Sequence, residues 1–117
     1  MAKTNRADSK AADNLERLFA QVRTSIDPTV PTQLVHAFIA VARNEGSTLT
    51  DLAERLGANI STASRHLLDL GERNRKKEPG YDLVESRTDP TSLRSKNYTL
   101  TPKGKLLWGT LLDIMES

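Results

Sequence analysis

The chain has 117 residues, 37% hydrophobic and 27% charged, the balance of an ordinary globular domain and not of a fibrous or disordered one. It contains no cysteine, which excludes disulfides, thiolate metal sites and cysteine nucleophiles, and only two histidines, so neither a cofactor nor a metal site is expected. The formal net charge is +2, yet residues 59–105 hold ten Lys or Arg against six Asp or Glu, so positive charge collects in the second half.

Residues 1–10 are polar and aperiodic and are expected to form a disordered tail. Over residues 11–27, Leu15, Leu18, Phe19, Val22 and Ile26 fall on one stripe of a 3.6-residue repeat, which predicts an amphipathic helix stopped by Asp27-Pro28. Pro31 and Thr32 open a second helix over residues 32–45, apolar at Leu34, Val35, Phe38, Ile39 and Val41 and stopped by Gly46. His36 within it reads as an interior or an interface histidine. Thr50 suits the N-cap of a third helix, residues 51–56, closed by Gly57, and Asn59 the cap of a fourth, from Ile60 to about Arg73. Ile60, Ala63, Leu67 and Leu70 are spaced for the buried face of that fourth helix. Residues 50–73 thus read as a helix-turn-helix, with small Ala53 and Ala63 permitting a close crossing.

Residues 74–82 form a basic loop that ends at Pro79-Gly80. Residues 83–100 read as a two-stranded wing, with strands from Leu83 to Arg87 and from Lys96 to Leu100 and the stretch TDPTSLRS as its exposed tip. Thr101 as cap and Pro102 at the first position start the last helix, residues 102–116. Its apolar residues cover more than one face, and two faces need two partners. A homodimer is therefore expected, held by Leu15, Leu18, Phe19 and Val22 with Trp108, Leu111, Leu112 and Met115. The fold class is mainly α with a small β-hairpin wing, one domain over residues 11–117. No apolar run approaches the ~18 to 20 residues that cross a bilayer, and no signal core is present, so the expected location is the cytoplasm, beside the nucleoid.

The segment LTDLAERLGANISTASRHLLDLGE, followed by LVESRTDPTSLRSKNYTLTPKGKLL, resembles the winged-helix transcription regulators of the MarR family over roughly residues 32–116. The most specific part is the run from Asp89-Pro90 through Arg94 to Leu100-Thr101-Pro102-Lys103-Gly104. Two departures stand out. GERNRKKEPGYD lengthens the usual short passage from fourth helix to wing and adds Arg73, Arg75, Lys76 and Lys77. Ser92 stands where many members carry an acid two residues before the wing arginine, which leaves Asp89 to steer Arg94.

If Ile60, Ala63, Leu67 and Leu70 face the core, 100° steps place Ser61, Thr62, Arg65 and Asp69 on the opposite face, with Ser64 and His66 flanking. Asn59, Ser61, Thr62, Ser64 and Arg65 are then the candidate groups for double-stranded DNA. Short hydroxyls allow close approach, and the planar arginine fork matches guanine O6 and N7. The resemblance implies that this helix lies in the major groove, that Arg94 probes the minor groove, and that Arg87 and Lys96 reach the backbone. Arg73, Arg75, Lys76 and Lys77 read equally as further phosphate contacts or as a solvated loop.

The function these readings imply is a sequence-specific, dimeric DNA-binding transcription regulator that reads a pseudo-palindrome. The alternative is a winged-helix interaction module within a protein assembly or a replication or mobile-element complex. Catalysis finds no support: phosphate loop, HExxH motif and nucleophile elbow are all missing from the sequence. The resemblance also implies small phenolic effectors, but few aromatics and short terminal helices leave little room for a pocket, so constitutive binding stands beside ligand control.

Overall fold

A computed structural model describes residues 6–74, 76–89 and 91–117, with only the backbone described at 89 and 92–95. Ser9 sets the start of the first helix, α1 (Lys10–Ser25): its hydroxyl accepts from the Ala12 amide at 3.1 Å, filling one of the amides a helix start leaves free. A 3-10 turn, Arg6–Asp8, precedes it, so Arg6–Asp8 and Lys10 of the expected tail are helical, on either side of the extended cap at Ser9. The Asp27 carboxylate accepts from the amide and the hydroxyl of Thr29 at 2.8 and 2.9 Å, which turns the chain after α1 and holds that carboxyl below its ordinary pKa.

Helix α2 (Thr32–Arg43) follows Pro31 and buries Leu34, Ala37, Phe38, Ala40 and Val41. Phe38 is fully buried and meets the edge of Trp108 with ring centroids 6.3 Å apart. His36 is exposed, contrary to an interior placement, because it lies off the stripe made by 34, 37, 38 and 41. Gly46 then adopts φ 91° while its amide donates to the Tyr98 carbonyl at 2.8 Å.

That turn delivers a two-residue strand, β1 (Ser47–Thr48), too short to be read from periodicity. It moves the start of the third helix. Pairing holds Thr48 at φ −80° and ψ 165°, the extended geometry an N-cap needs, and its hydroxyl accepts from the Asp51 amide at 3.2 Å. Helix α3 (Leu49–Leu56) therefore contains Thr50 instead of being capped by it. Thr48→Ala is expected to cost about 1 kcal/mol, read as a lower urea midpoint at unchanged slope. An unchanged midpoint would remove the cap from the account.

Gly57, at φ 62°, ends α3, and the Asn59 side chain caps helix α4 (Ile60–Asp69) by accepting from the Thr62 amide at 2.8 Å. The helix stops earlier than expected because its last carbonyls are claimed by the following chain: the Leu70 carbonyl accepts from the amides of Leu83 at 2.8 Å and Val84 at 3.1 Å. Strands β2 (Val84–Asp89) and β3 (Ser92–Leu100) then pair antiparallel, and β3 also pairs with β1, giving the sheet order β1-β3-β2. Most of the expected tip is thus strand, with the register slipping between Thr88 and Asp89.

The Thr101 hydroxyl donates to the Asp82 carbonyl at 2.7 Å and accepts from the Gly104 amide at 3.0 Å, locking helix α5 (Pro102–Met115) to the foot of the wing. The core runs from Val22 and Phe38 through Leu52, Leu67, Leu70 and Leu83 to Leu107 and Leu111. At the far end, Asn14, itself buried, donates to the carbonyls of Met115 and Ser117 at 3.4 and 3.2 Å, so α1 closes the end of α5.

Candidate nucleic-acid interface

Helix α4 presents two unlike faces. Ala63, Leu67 and the capping Leu70 are buried. Asn59, Ser61 and Arg65 are exposed, and Thr62, Ser64 and His66 are half-buried at the margins. The Asn59 carbonyl oxygen is committed to the cap, which leaves its amide NH2 as the group facing outward. Ile60, spaced for the core, is 49% exposed instead. The 100° arithmetic is sound, but a side chain at a helix's first position points back off its tip, past the packed body.

The wing stands across a cleft from this helix. Ser64, Leu68 and Arg73 line one side, and Glu85, Ser86, Lys96 and Tyr98 line the other, around a volume of about 350 Å³. Burial pushes the Tyr98 phenol above its usual pKa. Arg87 lies opposite Asn97 on the hairpin, and its guanidinium donates to Glu85 Oε1 at 3.1 Å. Residues two apart on a strand share a face, so Glu85 orients Arg87 along the wing. Lys96, opposite Thr88, is exposed. Arg94 has a place in β3, but its side chain, like that of Asp89, lies outside the described residues.

The basic insertion is a closed loop. Arg73 pairs with Pro79 across it, and the Arg73 guanidinium donates to the Lys77 carbonyl at 3.1 Å. Asn74 Oδ1 accepts from the amides of Lys76 and Glu78 at 2.9 and 3.1 Å, and Lys77 takes φ 61°. Lys76 and Lys77 are exposed, and Arg75 lies outside the described residues. Gly80 passes so close to the Gly71 carbonyl that a Cβ would overlap it. The loop leans on the corner between α1 and α2, where the Tyr81 hydroxyl donates to Asp27 Oδ2 at 3.5 Å and Lys76, Asp69 and Leu34 line a common cavity. Burial, then the Asp27 carboxylate, pushes the Tyr81 phenol upward in pKa. This corner adjoins Asp69, the last residue of α4, about 15 Å along the helix from Asn59.

The residues expected at a dimer interface divide. Leu15, Phe19, Leu112 and Met115 are exposed, and Leu18 and Trp108 are half-buried. Val22 and Leu111 are buried in the core cluster of the single chain, and they are not available at a surface. Leu106, one of the apolar residues of the last helix but not among those expected at the interface, is the most exposed large apolar side chain among the described residues, at 76%; its place in the run Leu106-Leu107-Trp108 is the signal that could have placed it there. Among the described residues, no helix is long and apolar enough to cross a membrane.

A helix-turn-helix joined to a three-stranded wing defines a winged-helix protein. No protein-family model and no curated relative matches the sequence. Solved structures do match. Streptococcus pneumoniae FabT in complex with DNA superposes at a TM-score of 0.68 with 17% identity, over 90% of this chain and 68% of that one. A mutant S. aureus MepR bound to oligodeoxyribonucleotide gives 0.64 and 23%, over 90% and 70%. A MarR transcriptional regulator from Methanosarcina mazei gives 0.63 and 19%, over 90% and 70%. The fold of this chain is therefore the MarR-type winged helix.

Proposed function

We propose that the protein is a sequence-specific, double-stranded-DNA-binding transcription regulator, a binding protein and not an enzyme, acting in the cytoplasm without a cofactor. One observation carries the reading: the outward face of α4 is exposed and polar at Asn59, Ser61 and Arg65, on a fold shared with FabT, which was solved in complex with DNA. In this reading α4 enters the major groove, Arg94 reaches the minor groove, and Arg87 and Lys96 bind the backbone. Lys76 and Lys77 touch phosphates beyond the far end of α4. Exposed Leu15, Phe19, Leu106, Leu112 and Met115 meet a second copy. Two copies related by a two-fold axis then read a pseudo-palindrome with half-sites about 34–36 Å apart or a multiple of that.

A salt titration tests this. A dimer that touches six to ten phosphates is expected to lose roughly 10³- to 10⁵-fold in affinity between 50 and 200 mM salt. Lys76→Ala should weaken selected and unselected duplexes alike and flatten the salt slope. A chain that binds no duplex at low salt refutes the reading. Leu68, 47% exposed on the same side of α4, favours a second reading, a winged-helix module for protein assembly. A stoichiometric partner that co-purifies without DNA and is lost in Leu68→Ser would select it.

A further inference from the structure

Ile60 occupies a position that packing does not require. It is 49% exposed at the start of α4, while Ala63, Leu67 and Leu70 supply the buried face. Its neighbours on the outside, Asn59, Ser61 and Arg65, are all exposed polar groups. A helical Cβ tilts toward the N-terminus, so the side chain extends off the tip, the part of such a helix that meets base edges when it enters the major groove. Isoleucine offers neither donor nor acceptor. Among the groups that base pairs display in the major groove, the thymine 5-methyl is the apolar one.

The other exposed apolar residue of this helix, Leu68, is eight positions on, about 12 Å along the axis. Leu68 lines the cleft against the wing and Ile60 does not, so the two do not form one patch for a partner protein. What faces Ile60 in the proposed complex is a base step.

We infer that Ile60 is a specificity-determining residue that packs against the 5-methyl group of a thymine in each half-site. It lies five positions before Arg65, about 7.5 Å of helix rise, which places that thymine within about two base pairs of the base Arg65 reads. The inference rests on the DNA-binding reading and deepens it by naming a base and the atom recognised.

The test uses the full chain and the duplex it selects from a random pool, with each thymine replaced in turn by deoxyuridine. That change removes one methyl group and leaves every hydrogen-bonding group in place. At one position per half-site the replacement should weaken the wild-type chain about fourfold, the share of one buried methyl. Ile60→Ala should bind the thymine duplex more weakly and show no further loss with deoxyuridine. Its unfolding midpoint should match wild type or exceed it, because the side chain is exposed and alanine favours helix. If deoxyuridine weakens both proteins equally, or neither, the inference is overturned while DNA binding stands. If the wild-type chain retains no duplex at low salt, both are overturned.

Discussion

Gly104→Ala is expected to destabilise the chain by about 3 kcal/mol, the upper end of what overpacking a closed site costs, and to lower Tm by about 10 °C. A Cβ at Gly104 would overlap the Leu83 carbonyl, and the next nearest atoms are Leu83 backbone as well. That carbonyl cannot easily yield. It accepts from the Thr101 amide at 3.1 Å, and the Leu83 amide is itself tied to the Leu70 carbonyl at 2.8 Å. Moving it would disturb the end of α4 and the foot of the wing together.

The same helix supplies the control. Gly109 has nothing within 4 Å of the position a Cβ would take. Gly109→Ala should therefore stabilise α5 by about 0.5–1 kcal/mol, the ordinary helix preference for alanine over glycine. Two identical substitutions five residues apart should move the urea midpoint in opposite directions. If both shift it the same way, close approach at Gly104 is not what joins wing and helix.

Arg65→Ala is expected to weaken binding to the selected duplex by about 10- to 100-fold at constant salt, the worth of one bidentate contact to guanine. Arg65 is exposed on the outward face of α4, so its removal leaves the buried face intact and the unfolding midpoint near wild type. The diagnostic feature is loss of discrimination. The variant should bind duplexes carrying any base at the contacted position about equally, whereas wild type prefers guanine there. Arg65→Lys should restore attraction to phosphate but not the preference, because an ammonium lacks the planar fork. Anisotropy titrations against the base series read both quantities. A variant that weakens every duplex by one factor would make Arg65 a phosphate contact instead.

The sequence showed most elements of the fold through periodicity and capping chemistry. The stripe from Leu15 to Ile26, the cap at Asn59, the Thr101-Pro102 start of α5 and the left-handed turn at Gly57 are local signals, each set by a few adjacent residues. Errors arose where a distant partner intervened. Thr48 displaced Thr50 as cap because β1 pairs with β3, a contact spanning some fifty positions. The fourth helix stopped at Asp69 because the amides of Leu83 and Val84 took the Leu70 carbonyl. Hairpin pairing likewise turned most of the expected tip into strand.

The candidate site was legible in the same measure. The outward face of α4 was visible in the spacing of Ser61 and Arg65, since helical geometry alone places them. The exposure of Ile60 was not, because periodicity assigns a face but does not say whether a neighbour reaches the end of the helix. Nor could it divide the apolar residues of the terminal helices: Val22 shares a stripe with Phe19, and Leu111 adjoins Leu112 on a helix apolar on more than one face, yet Val22 and Leu111 are core while Phe19 and Leu112 are surface.

By itself, then, the sequence determined which segments are helices, where most of them are capped, and that a basic, polar helix face lies in the second half, because those properties follow from side-chain periodicity and nearest-neighbour hydrogen bonding. Tertiary structure decided how far each element runs, which apolar groups remain uncovered, and that Ser64 and Lys96 face one cleft. Those outcomes depend on which distant backbone groups find each other, and local patterning does not encode that choice.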